Sequence, residues 1–88
     1  MELDRNSYFI LGILRKKDMT SPARGMTIKE LMQIITNIKY STMHKKIRIL
    51  VKRSYIKEAA RAGHEKTFYI TEEGLRILPH QNEKEGTE

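Results

Sequence analysis

Ser41 and His44 stand three residues apart, a spacing that places a hydroxyl and an imidazole on one side of a helix. Nucleophilic chemistry needs more, an acid to orient the imidazole and donors for an oxyanion, and neither accompanies this pair. What accompanies it is positive charge. Between Lys39 and Lys66 the chain carries Lys39, Lys45, Lys46, Arg48, Lys52, Arg53, Lys57, Arg61 and Lys66 against Glu58 and Glu65, a net +7, whereas the remaining residues sum to −1. A block of this kind suits a polyanion, because each Lys or Arg that neutralises a phosphate releases condensed counterions. Other chemistries are poorly served. His44, His64 and His80 are scattered, without cysteine partners or carboxylates at ligand spacing, and no glycine-rich phosphate loop or inward carboxylate pair is present. The expectation is a binding protein without catalysis, metal or cofactor.

A fold of modest size must hold these cations. At 88 residues the chain makes one domain, near the lower end of those that bury an adequate core without staples. It has no cysteine, so the core must come from aliphatic packing and the composition suits a reducing cytoplasm. No apolar run approaches the length needed to cross a bilayer, and the start lacks the basic then apolar order of a secretion signal, so a soluble, cytoplasmic protein with no membrane contact is expected. Residues 79–88, opening at Pro79, contain nothing apolar beyond the proline and read as a flexible tail.

The elements follow from periodicity and caps. Asp4 or Asn6 can cap a first helix with Phe9, Ile10, Ile13 and Leu14 inward, ending in Arg15-Lys16-Lys17. Asp18 to Gly25, with Ser21-Pro22, is a loop. Thr27 and Glu30 form a capping box for a short second helix facing Ile28, Leu31, Ile34 and Ile35 inward. Near Thr36 it stops, with Asn37 suited to a left-handed turn residue and Ile38 to a plug between helices. Ser41 then caps a third helix, residues 41–53, whose buried stripe is Met43, Ile47, Leu50 and Val51. Its other face holds Ser41, Thr42, Lys45, Arg48, Lys52 and Arg53, flanked by His44 and Lys46. Ile49 is the misfit, an apolar residue on that solvated face; packing on a neighbour or harmless exposure is a simpler reading of it than a thymine contact. From Tyr55 to about Ala60 and again over Thr67-Phe68-Tyr69-Ile70 the residues favour strands, with Arg61-Ala62-Gly63-His64 as the tip of a hairpin. Thr71, Glu72 and Glu73 start a last helix, with Leu75 and Leu78 closing the core.

This order, helix, short helix, tight turn, basic helix, hairpin, helix, is that of a winged helix-turn-helix domain. The fold class expected over residues 1–78 is therefore α+β, with a three-helix core, a two- or three-stranded wing and a short C-terminal helix. Thr36-Asn37-Ile38-Lys39-Tyr40-Ser41-Thr42-Met43 resembles the turn and recognition-helix start of bacterial repressors. Leu50-Val51-Lys52-Arg53-Ser54-Tyr55-Ile56 and Tyr69-Ile70-Thr71-Glu72-Glu73-Gly74 resemble the helix-to-wing and wing-to-helix joints of the MarR and PadR families of transcriptional regulators, and the resemblance spans residues 8–78. Two features depart from it. Ser54 stands where those families usually carry glycine, which is tolerable if the backbone there is not strained, and the fourth helix is short where theirs is followed by a long dimerisation helix.

The resemblance implies sequence-specific binding of double-stranded DNA by a regulator such as a repressor. It puts Ser41, Thr42, His44, Lys45 and Arg48 at base edges, and Lys39, Tyr40, Lys46, Lys52, Arg61, His64 and Lys66 on the phosphate backbone, Arg61 also being able to reach a minor groove. A homodimer would pair through the first helix and the residues around Leu75. Two rivals stand beside it: a winged-helix module docking an acidic protein partner through Ile49 and the basic face, and a plasmid or phage replication or partition accessory, which shares the DNA chemistry.

Overall fold

The computed structural model describes residues 3–79. The tail expected beyond Pro79, including His80, lies outside the described residues. Four helices and three strands follow in the order α1 (Arg5–Lys16), β1 (Met26–Thr27), α2 (Ile28–Ile34), α3 (Tyr40–Lys52), β2 (Ile56–Glu58), β3 (Thr67–Ile70) and α4 (Glu72–Ile77). The strands form one antiparallel sheet in the order β1-β3-β2, with Phe68 opposite both Met26 and Glu58 and with Ile56 opposite Ile70. This mixture of helices with a small antiparallel sheet is consistent with a winged helix-turn-helix domain. Among the described residues no helix is long and apolar enough to cross a membrane.

Helix α1 begins where Asp4 accepts a hydrogen bond from the Ser7 amide at 2.9 Å, so Asp4 and not Asn6 is the cap. Its buried arc is Ser7, Ile10, Leu11, Ile13 and Leu14, because the helix touches both α3 and the sheet strand β3 and the arc widens towards Leu11. Phe9 was expected inside that arc and is 54% exposed. Helix α2 opens on the expected box, with Thr27 Oγ1 accepting from the Glu30 amide at 3.1 Å and Glu30 Oε1 from the Thr27 amide at 2.9 Å. It ends after seven residues, and Ile35 swings into the core on extended backbone while Ile34, expected inward, is left exposed.

The turn before α3 differs from the expected one. Asn37 is not left-handed; among the described non-glycine residues only Asp18 and Ser54 have positive φ, 64° and 67°. Ile38 does pack against the core. Helix α3 starts at Tyr40, with Lys39 as N-cap two residues before the expected Ser41 and no side-chain cap, so Ser41 sits inside the helix on its exposed face instead of capping it. Met43, Ile47 and Leu50 are buried, but Val51 is exposed: α3 ends near it, and on that side the helix borders a groove, not a packed element. The core joins these residues with Leu31, Ile35, Ile56, Phe68, Ile70 and Leu78 across all the layers. Each fully buried aliphatic chain contributes roughly 1.5–3 kcal/mol of burial, which is what holds so small a domain together.

The joint between α3, sheet and α4 is compact. Ser54 takes the left-handed position that ends α3, a geometry that glycine adopts without strain, so the condition under which serine would sit there freely is not met. Its carbonyl accepts from Thr71 Oγ1 at 2.6 Å, and the same hydroxyl accepts from the Gly74 amide at 3.1 Å, capping α4. Gly74 must be glycine, since a Cβ there would collide with the Tyr55 carbonyl oxygen and with Ile70 Cγ1. The joint thus fixes where the hairpin leaves the helical core.

Candidate functional site

Helix α3 points its cations outward because its apolar residues recur at helical spacing and seat against α1, α2 and β2. Ser41, His44, Lys45, Arg48 and Lys52 are exposed on this face, with Thr42 and Arg53 half-buried at its edge. Among the described residues no carboxylate pairs with Lys45, Arg48 or Lys52. Lys39 and Tyr40 are exposed at the N-terminal end, where Tyr40 leans on His44 with ring centroids 6.1 Å apart and planes at 44°. The amides of that first turn have no side-chain cap, and the positive end of the helix dipole adds to the field there.

Lys46 is placed differently from the other predicted contacts. Its side chain is only 16% exposed and is ion-paired and hydrogen-bonded to Asp4 at the start of α1. That ammonium, with the Ser7 amide, holds the Asp4 carboxyl at about 2 instead of 3.8. The ammonium is thereby held at the start of α1 by a carboxylate that is itself half-exposed. Nothing in the sequence announces this pair, because the partners are 42 residues apart.

The hairpin carries fewer available charges than its composition suggests. Lys66 lies 3.5 Å from Glu58 on the neighbouring strand, and Glu65 turns to Lys29 on α2 at 3.3 Å. At the tip, Gly63 supplies a φ of 66°, Ala62 pairs with Glu65, and Arg61 reaches the His64 carbonyl at 3.5 Å. Arg61, His64 and Lys66 are all exposed. Between α3 and the hairpin runs a groove of about 780 Å³, whose lining joins Arg48, Lys52 and Lys66 with the apolar Ile28, Ile49, Val51 and Phe68. Lys29 and Glu65, absent from the predicted site, are brought to its edge by the sheet. Among the described residues no group of three or more His, Cys, Asp or Glu is placed to hold a metal ion.

The arrangement can therefore grip a polyanion along one helix and a hairpin beside it. No protein-family model matches the chain. It is 32% identical over 78 residues to the DNA-binding protein TubR of the Clostridium botulinum C phage, covering 89% of this chain and 95% of that relative. It is similar, with a TM-score of 0.66 and 32% identity, to the solution structure of the DNA-binding TubR fragment from Clostridium botulinum, over 86% of this chain and 93% of that one. The resemblance to MarR and PadR regulators over residues 8–78 is not what these comparisons support; they point to TubR instead. With a third of the residues identical across nearly the full length of both chains, this protein belongs to the TubR family.

Proposed function

We propose that this chain is a double-stranded DNA-binding protein of the cytoplasm, not an enzyme, that occupies a specific site as a homodimer and so regulates transcription. The observation that carries the reading is the outward face of α3, where Lys45, Arg48 and Lys52 are exposed and have no carboxylate partner among the described residues. In this reading α3 lies in the major groove. Lys45 and Arg48 donate to guanine edges, Ser41, Thr42 and His44 contact neighbouring bases, and Lys39, Tyr40, Lys52 and Lys66 hold phosphates. Arg61 and His64 at the hairpin tip reach the flanking backbone or minor groove. Lys46 acts indirectly, through its tie to Asp4. The relative's description as a DNA-binding protein supports the same reading.

Pairing draws support from a second surface. Tyr8 and Phe9 are exposed on α1, and beside them Ile77, Leu78 and Pro79 complete an apolar hollow. Two copies joined there would present two α3 helices and double the bases read.

A second biological reading, an accessory of plasmid or phage replication or partition, is favoured by one observation: the relative belongs to a phage. Both readings share one test. Purified protein is used to select duplexes from a random pool, and affinity is measured from about 50 to 200 mM salt, where several phosphate contacts predict a steep loss. A palindromic consensus is expected, and the absence of duplex binding even at low salt would replace DNA with an acidic protein partner.

A further inference from the structure

We infer that Ile49 reads the 5-methyl group of a thymine, one helical turn beyond the base that Lys45 contacts. The inference rests on the proposed DNA binding and deepens it by naming a base. Ile49 is 48% exposed near the middle of α3, outside the core cluster, where it lines the groove beside the hairpin. A β-branched residue at an exposed helical position lowers helix propensity relative to the lysines and arginines around it, and its apolar surface gains nothing from water. Lys45 precedes it by one turn, Arg48 adjoins it and Lys52 follows three residues on, all exposed.

Those cations restrict what can cover it. An uncharged apolar partner would have to strip water from three charged side chains with nothing to pair them, which is unfavourable. The occupant must therefore be anionic around its edge and apolar at one point. Duplex DNA meets both conditions, since phosphates flank the major groove and the thymine methyl is the one apolar substituent on its base edges. Spacing adds a constraint: four residues of helix rise about 6 Å, close to two base-pair steps of about 3.4 Å. The thymine then lies about two base pairs from the base touched by Lys45. Thr42 also carries a methyl group on this face but sits two turns earlier, so it would mark a different position.

Deoxyuridine separates the methyl from everything else a thymine offers. In a duplex selected by the protein from a random pool, each thymine is replaced in turn, and affinities are measured for the wild type, Ile49→Ala and Thr42→Ser. One position per bound copy is expected at which the wild type loses about three- to fivefold, the effect of one methyl group withdrawn from contact. Ile49→Ala should bind the thymine and uracil forms of that position equally, and Thr42→Ser should still discriminate. Because Ile49 is exposed, the alanine variant keeps the fold, which a melting curve verifies. Discrimination that survives in Ile49→Ala overturns the inference. So does an Ile49→Ala variant that keeps discrimination but changes sedimentation, which assigns the side chain to a protein contact. Failure to select any duplex instead removes the DNA-binding reading, and the inference falls with it.

Discussion

Helix α3 and the hairpin are one basic block along the chain and two unlike surfaces in space. Lys39 to Arg53 contains six cations and no acid, and on its exposed face Lys45, Arg48 and Lys52 are left to solvent. The hairpin carries Lys57, Arg61 and Lys66 with Glu58 and Glu65 among them, and its sheet register brings Lys66 to Glu58. On α3 itself, Asp4 pairs with Lys46 and leaves that side chain only 16% exposed. Formal charge is thus a poor guide to where a polyanion is held. What matters is how firmly the fold holds each cation to an internal partner, since an unpaired cation meets a phosphate at no loss and a paired one must first give up its carboxylate.

Four changes would break or sharpen that contrast. The largest effect is expected for the double variant Lys45→Ala with Arg48→Ala. Two base contacts of about 1–3 kcal/mol each predict a loss of roughly thirtyfold or more on a selected duplex, measured by fluorescence anisotropy, with a smaller loss on random DNA. Equal losses on both would move base reading away from α3.

Asp4 comes next, because it serves α1 and α3 together. Asp4→Ala removes a helix cap and a half-exposed ion pair and should lower unfolding free energy by about 1–2 kcal/mol in urea melts. Asp4→Asn keeps a capping oxygen and releases Lys46, so its salt dependence on random duplex should steepen by about one phosphate contact. The pH dependence has a definite sign. The folded carboxyl titrates at about 2 against 3.8 unperturbed, so its stabilisation is fully present above about pH 4 and is lost as pH falls towards 2. The stability gap between wild type and Asp4→Asn should close over that window, and a gap constant down to pH 2 would deny the ion pair a role.

In the hairpin, Glu58→Gln should release Lys66 without altering the strand. Affinity for random duplex should rise severalfold at low salt, and the ratio of specific to random binding should fall. No change in either quantity would mean that Lys66 lies outside the contact. The smallest effect belongs to the hinge between the two surfaces. Ser54→Gly relieves a left-handed serine while adding freedom to the unfolded chain, for a net gain of about 0.5–1 kcal/mol in thermal or urea melts. A loss of stability would show that the Ser54 side chain matters more than its backbone.

Much of this architecture was legible in the residues. The Thr27/Glu30 box, the Met43, Ile47 and Leu50 stripe, the glycine-bearing hairpin tip and the Thr71 cap are local signals, each set by groups within about four positions of one another. The misreadings share a different cause. Phe9, Ile34 and Val51 were apolar at plausible helical spacing, yet whether such a residue is covered depends on the neighbour across from it. Ser41 failed as a cap because the chain enters α3 at Tyr40, which puts the cap at Lys39, two residues earlier, and Asn37 because the turn there needs no left-handed residue.

By itself the sequence determined the kinds of element, their order, and the concentration of charge on one helix, because helix periodicity, caps and turn residues act over a few residues. The tertiary structure decided which of those charges remain available. Asp4 finds Lys46 and Glu65 finds Lys29 only after the helices and the sheet have packed, since chain segments far apart along the sequence meet through the core they share.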